Sequence, residues 1–268
     1  MAKKDKDYKY LYGPVYSWRL GVSLGIDPLS QESKICNFDC IYCQLGNTKE
    51  IEGQRKIYVP TKNLIKEIKT LPDLQSDYLT FSGRGEPTLA KNLGEMIREI
   101  RKIREEKIAV ITNSSLMYQK EVQDDLLLAD FVLAKLDICS EETLKTIHRV
   151  TQGPSFRLII DGIKGFRMLF KGKLALQIMF VKQNKDYAGE LAKIAKNIKP
   201  DEVELNTPLR LSSVKPLSKG ELKSLRNYFN AFPVVTVYDT PKEAIEPFDE
   251  KETVKRHGRY KNSKEVMK

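Results

Sequence analysis

The chain has 268 residues, of which 41% are hydrophobic and 31% charged, with a formal net charge of +10; that length suits one large domain or two small ones with a substantial core. The lysine-rich residues 1–10 precede no apolar stretch, and the longest apolar run, 174–181, is far too short to span a bilayer, so the sequence predicts a cytoplasmic protein with no signal peptide and no membrane partner. Four cysteines in such a chain point to metal or redox chemistry and away from a disulfide scaffold.

The first predicted strand lies at residues 20–26 and leads into a loop that carries three cysteines. A helix follows, with Leu64, Ile65, Ile68 and Leu71 on one face. Residues 78–82 (YLTFS) read as the next strand, then a helix with Leu93, Ile97, Ile100 and Ile103 in phase. Residues 108–111 (IAVI) and 131–136 (FVLAKL) are further strands. A helical stretch over 141–147 ends at His148 and Arg149, where a lone histidine reads as structural. Residues 174–181 (LALQIMFV) form a strand, Leu191, Ile194, Ala195 and Ile198 a helical face, and 202–205 (EVEL) and 234–238 the last strands. Short strands that are apolar nearly throughout suit a parallel sheet covered on both faces. Their alternation with helices argues for βαβ units. About six such units are too few for a closed eight-unit barrel; a three-quarter barrel and an open doubly wound sheet both fit. The core domain is placed at 1–245 and a basic tail at 246–268. Residues 251–268 hold seven Lys and Arg against two Glu, half of the net charge. Such an end is either solvated or a phosphate-contacting tail.

In folds of this class the active site lies at the C-terminal ends of the strands. The chemistry-bearing residues cluster there. Residues 35–45 read ICNFDCIYCQL, a C-x3-C-x2-C spacing of Cys36, Cys40 and Cys43. Thiolates are soft ligands that suit Fe–S clusters and zinc. Three of them leave a [4Fe–4S] cluster one open iron, and an open position is where a substrate binds. Structural zinc needs a fourth Cys or His in paired spacing, and neither Cys139, His148 nor His257 supplies it. Residues 82–87 (SGRGEP) follow the second strand, Thr112, Asn113 and Ser114 the third. Gly83 and Gly85 let the backbone approach a ligand, or only punctuate a turn. Asn113 and Ser114 suit a ligand contact or a helix cap. Lys135 and Asp137 are charges at the end of an apolar strand, costly unless paired or functional. At i and i+2 they face one side, and Cys139 joins them if the strand is unbroken. Gln177 and Met179, with Asn206 after the sixth strand, point to a lined cavity or to satisfied buried amides.

With Tyr42 just before the last cysteine, the loop resembles the radical SAM signature. The resemblance covers residues 12–208. Residues 12–46, with FSGRGEPTL at 81–89, are similar to the radical SAM branch related to wyosine-base synthesis. That resemblance implies an α/β fold of the partial, TIM-like (β/α)6 barrel type. It implies a [4Fe–4S] cluster on Cys36, Cys40 and Cys43, with S-adenosylmethionine (SAM) chelating the open iron. It also implies a flavodoxin- or ferredoxin-type reductant, cleavage of SAM to a 5′-deoxyadenosyl radical, and hydrogen abstraction from a substrate. Gly83, Gly85, Glu86 and Pro87 match the GGEP-type segment, although Gly-Arg-Gly-Glu-Pro departs from its plain form. Asn113 and Ser114 match the segment that bonds the SAM ribose, and Lys135 is implied to meet the SAM carboxylate. Tyr42, Gln177 and Asn206 complete the implied SAM site. Lys135, Asp137 and Cys139 stand as the candidate catalytic residues, with Cys139 a hydrogen donor, a covalent holder of substrate or a ligand to a second metal. The branch points to a tRNA base as substrate. Synthases of that branch that condense pyruvate carry extra cysteines for a second cluster, and here only Cys139 is left over. A peptide or small molecule is therefore the alternative substrate, and an Fe–S electron carrier or zinc-stabilised RNA-binding module the non-enzymatic alternative.

Overall fold

The computed structural model describes residues 8–72, 74–239 and 245–259. Eight strands form one sheet in sequential order. β1 (Leu11–Ser17) and β2 (Gly21–Ile26) make an antiparallel hairpin. From β2 onward each neighbour is parallel: β3 (Tyr78–Phe81), β4 (Lys107–Thr112), β5 (Phe131–Lys135), β6 (Lys173–Met179), β7 (Glu202–Asn206) and β8 (Val234–Thr236). The crossovers carry α1 (Thr61–Ile68), α2 (Leu93–Arg101), α3 (Lys120–Leu126), the pair α4 (Glu141–His148) and α5 (Phe156–Leu169), α6 (Ala188–Ile198) and α7 (Lys219–Leu225). A last helix, α8 (Glu250–His257), follows β8.

The sheet is curled. Laid flat, β2 and β7 would be five strand spacings apart, about 24 Å. Instead Arg19, in the β1–β2 turn, meets Glu204 on β7 at 2.7 Å. The result is the expected partial barrel, with βα units running from β2 to β7 and an extra strand at each edge.

The seven predicted strands are present within a few residues of their predicted ends. β1 was not predicted, because Gly13-Pro14 reads as punctuation. At the sheet edge a residue without a backbone N–H is tolerated, and the register is irregular between Tyr12 and Val15. The helical faces match as far as the helices run: α1 buries Leu64 and Ile68, and α6 buries Leu191, Ala195 and Ile198. Leu71 and Ile103 fall beyond the ends of α1 and α2.

Helices cover the outer face of the sheet with one large apolar core. Inside the barrel Leu20, Ala109, Phe131, Leu133 and Ala175 pack as a separate plug, with Tyr78 and Ile111 against it. Fully burying a side chain such as Phe131 or Leu133 contributes about 1.5–3 kcal/mol. The plug fills the half of the barrel where the strands begin. Toward the strand ends the inner positions turn polar, and Lys135, Gln177 and Glu204 form one row across β5, β6 and β7.

Part of the expected tail is helix. α8 packs on β1, and Arg256 is buried against Asp27 at 3.0 Å, so a boundary at 245/246 does not set off a free segment. Lys261, Lys264 and Lys268 lie outside the described residues. No helix among the described residues is long and apolar enough to cross a membrane.

Candidate active site

The cysteine loop leaves β2 at Asp27 and is fastened on two sides. On one, the Ile35 N–H donates to Arg84 O, and the Glu86 N–H to Ile35 O, both at 2.9 Å. A Cβ at Gly85 would stand 1.6 Å from Ile35 O, so only glycine lets the 82–87 segment come this close. On the other side, the Asp39 and Ile41 N–H groups donate to His148 O and Ile147 O at 2.9 and 3.0 Å. These are terminal carbonyls of α4, which lack partners within the helix. The start of α4 is held by a capping box of Ser140 and Thr143. Thus the loop uses one strand end and one helix end as its frame.

All three thiols act on one lysine. Burial works against the Lys34 ammonium, yet Cys43, Cys36 and Cys40 together hold its pKa above the ordinary value. Burial pushes the Cys36 thiol up to about 12, with Lys34 opposing, and raises Cys40 as well, with Lys135 opposing. The Cys36 sulfur also receives the Phe38 N–H at 3.5 Å and the Asn113 amide at 3.8 Å. His148 stacks on Phe38 at 4.7 Å. Its Nδ1 sits 3.1 Å from the Cys40 sulfur, while Nε2 is 3.8 Å from Asp137. Burial lowers its pKa to about 4, against the pull of Asp137, so the ring is neutral. The ring thus links the Cys40 sulfur at Nδ1 to the Asp137 carboxylate at Nε2, and its tautomer sets which contact receives its proton.

A cavity of about 250 Å³ opens at the strand ends beside this loop. Tyr42 and Cys43 line it from the loop, Gly83 and Gly85 from the end of β3. Lys135, Gln177 and Asn206 line it from β5, β6 and β7. With Met179 of β6, the structure thus brings eight of the predicted residues around one space. Lys135 Nζ donates to the Tyr42 hydroxyl at 3.0 Å and lies 4.3 Å from the centre of its ring.

Four other predicted residues form the wall behind that space. Glu86 is buried, and its carboxylate accepts from Thr88 N–H (3.0 Å), the Thr88 and Thr112 hydroxyls (2.7 Å each) and Asn113 N–H (2.6 Å). Burial raises its pKa while these donors hold it down. Its side chain therefore fixes the loop after β4. Asn113 joins Asn37 at 2.8 Å and accepts from Ser115. Ser114 donates to Lys135 O at 3.0 Å. Asp137 is fully buried, accepting from the Tyr42 hydroxyl and from Met179 N–H at 2.5 Å, with Lys135 Nζ at 3.5 Å.

Cys139 is a correction. β5 ends at Lys135, so the alternation that would carry Cys139 inward is broken. Its N–H donates to the Thr143 hydroxyl at 2.9 Å and its thiol lies 4.0 Å from the same group, at the start of α4. It is not among the cavity-lining residues. Conversely, Arg19, Arg210, Arg256 and His257 line the cavity without having been singled out. Behind them Glu204 is fully buried and, with Arg19 and Gln177 opposing, its pKa is pushed up to about 7 by burial. A glutamate in the middle of EVEL was the available sign of it.

The donor set fits a [4Fe–4S] cluster. Cys36, Cys40 and Cys43 are all free thiols on one loop, and thiolates are the ligands that such clusters take. A cubane spreads its thiolates over separate irons, which three sulfurs sharing a neighbour in Lys34 can satisfy.

Comparison with known proteins agrees. Residues 33–195 match the Radical SAM superfamily. A UPF0026 protein of Synechocystis sp. is 39% identical over 81% of this chain and 81% of its own length. The crystal structure of Streptococcus suis SuiB bound to S-adenosylmethionine superposes with a TM-score of 0.60 at 17% identity, over 76% of this chain and 48% of that one. This chain thus spans about half the length of that structure. Archaeal TYW1 superposes with a TM-score of 0.56 at 13% identity, over 82% of this chain and 75% of that one. At such identities the two structures speak for the fold alone.

Proposed function

The chain belongs to the radical SAM superfamily, and on that premise we propose that it abstracts hydrogen from a substrate held in the cavity beside Cys43. It is a radical SAM enzyme whose cofactors are SAM and a [4Fe–4S] cluster. When bound, the cluster supplies the electron that splits SAM into methionine and the 5′-deoxyadenosyl radical, which takes the hydrogen. The observation that carries this reading is the placement of Cys43 and Lys135 in the lining of one cavity.

Cys36, Cys40 and Cys43 hold the cluster. Lys135 offers its ammonium to the SAM carboxylate, oriented by the Tyr42 hydroxyl, which Asp137 orients in turn. The backbone at Gly83 and Gly85 takes the SAM ammonium, and Gln177 and Asn206 offer amides to the rest of the ligand. Glu86 and Ser114 act one step back, by fixing the loops that carry these groups. The electron comes from a flavodoxin- or ferredoxin-type protein. A base of RNA is the first reading of the substrate, from the resemblance of residues 12–46 and 81–89 to the wyosine-base branch, and the net charge of +10 is in keeping with it. A peptide or small molecule is the second, favoured by the modest volume of about 250 Å³.

The test is anaerobic incubation of iron-loaded protein with SAM and dithionite, following 5′-deoxyadenosine and mass changes in RNA, peptides and metabolites. Protein that holds iron yet releases no 5′-deoxyadenosine under any of these conditions would remove the proposal. Lys135→Met should keep its iron and bind SAM about ten- to a hundredfold more weakly, the worth of a charge-assisted hydrogen bond; equilibrium binding of SAM checks this.

His148 tunes the cluster. A cluster-bound Cys40 thiolate has no proton of its own and would accept from His148 Nδ1; such an N–H···S bond stabilises the more negative, reduced state, and hydrogen bonds to cluster sulfurs are a known lever on potential. His148→Phe keeps the stacking on Phe38 and removes the donor. Redox titration monitored by electron paramagnetic resonance should show a more negative midpoint potential at undiminished iron content. An unchanged potential would leave His148 as packing.

A further inference from the structure

The reading above leaves one end of the cavity without a role, and the inference rests on that reading. Four cations, Arg19, Lys135, Arg210 and Arg256, line the cavity; Glu204, Asp137 and Asp27 pair with the first, second and fourth, and no Asp or Glu is among the described lining residues. Lys135 stands beside the cysteine loop. Arg19 and Arg210 stand together at another place, around a recess of about 60 Å³ that shares Tyr42, Gln44 and Asn206 with the cavity and adds Trp18.

Both guanidiniums are set in position. Arg19 is held by Glu204 at 2.7 Å and stacks on Trp18, 4.2 Å from the ring centre. Arg210 donates to the Gln44 side-chain oxygen at 2.9 Å, and its other terminal nitrogen lies 2.7 Å from His257 Nε2. Burial, then Arg210, then Arg19 hold the His257 pKa well below its ordinary value. The imidazole is thus neutral and can accept from Arg210, and both arginines are felt at one point. They come from separate elements, the β1–β2 turn and the segment after β7. Planar N–H forks at fixed angles match the oxygens of a phosphate or carboxylate, and being held in advance lowers the cost of binding.

We infer that this end of the cavity binds an oxyanion of the substrate, a phosphate or a carboxylate, between Arg19 and Arg210, while Lys135 serves the carboxylate of SAM. The substrate is then a small anion-bearing molecule, or a unit of a larger one, anchored by its oxyanion at the recess with its reacting carbon turned toward Cys43.

Trp18 is the only tryptophan in the chain and lines the recess, so its fluorescence reports occupancy without turnover. Iron-loaded protein is first titrated with SAM. A chain that fails to bind SAM fails the earlier reading. With SAM saturating, inorganic phosphate and succinate are then titrated separately at constant ionic strength. A saturable change in Trp18 emission is expected, tighter with phosphate if the substrate carries a phosphate ester and tighter with succinate if it carries a carboxylate. Arg210→Gln should weaken that binding at least tenfold, and Arg210→Lys, which keeps the charge but not the fork, should fall between Gln and the native residue. SAM binding without a saturable response to either anion overturns the inference, as does equal anion affinity in Arg210→Gln.

Discussion

Cys43→Ala is expected to lose most of its iron and to release no measurable 5′-deoxyadenosine, the largest change any single substitution here should produce. Cys43 is the cleanest of the three to replace. Cys36 is buried in the apolar core, and Cys40 is bonded to His148, so changing either also disturbs packing. Cys43 is only partly buried and borders the cavity. Its backbone N–H donates to Cys40 O and its carbonyl accepts from Gly46 N–H, and alanine keeps both bonds. The fold should therefore survive, and circular dichroism should match the native chain. What is lost is a ligand that nothing nearby replaces, because His148 is already committed to Cys40. Native protein should carry about four irons per chain if the cluster is a cubane. Iron analysis and chromatographic assay of 5′-deoxyadenosine measure both effects. Retained cluster and retained cleavage in Cys43→Ala would undo the assignment of the loop.

The cysteine loop could be read in the sequence because its spacing is local: three ligands within eight residues need no knowledge of the rest of the fold. The parallel strands were legible for a similar reason. Burial on both faces makes each one apolar nearly throughout, and the helix between them changes the period. β1 escaped because it obeys neither rule, being an edge strand broken by Gly13-Pro14. Lys135 and Gln177 were found because a polar residue stands out in an apolar strand. Cys139 was misplaced by assuming that β5 continued past Lys135, although the strand stops where Asp137 turns to the Tyr42 hydroxyl. Glu86 was recognised in its motif, but of its partners only Thr88 belongs to that motif; Thr112 and Asn113 come from the end of β4, and which way its carboxylate faced depended on them. The pairs Arg19–Glu204 and Arg256–Asp27 were least legible. Each joins residues that lie far apart in sequence, at opposite edges of the sheet or across the chain ends, and a charged residue reads as solvated until its partner is known. The arginines that line the cavity therefore went unseen.

Arg256→Met is expected to destabilise the fold by about 3–5 kcal/mol, the usual cost of stripping the partner from a buried charge. Asp27 is fully buried at the end of β2. Its carboxylate accepts from Leu29 and Ser30 N–H at 3.2 and 3.0 Å, from Arg84 N–H at 3.3 Å and from Arg256 Nε at 3.0 Å. Arg256 reaches it from α8 and also bonds Glu252, Lys9 O and the Ser30 hydroxyl. Methionine fills much of the volume and supplies none of the charge. For a domain of this size the loss corresponds to a fall in Tm of roughly 6–20 °C. The pH dependence separates charge from packing. Burial raises the Asp27 pKa above the ordinary carboxylate value, and Ser30 N–H and Arg256 oppose that rise. A carboxyl whose folded pKa exceeds its unfolded one loses stability as pH rises through the folded value, since the charge must then be kept inside. Without the guanidinium that pKa climbs further. The deficit of Arg256→Met should therefore be full at neutral pH and shrink on acidification, as Asp27 takes up a proton. Asp27→Asn in the same background, which keeps an acceptor for Leu29 and Ser30 but carries no charge, should recover part of the lost Tm at neutral pH. A deficit that is the same at every pH, and that Asp27→Asn leaves untouched, would mean that α8 is held by packing and that the ion pair adds nothing.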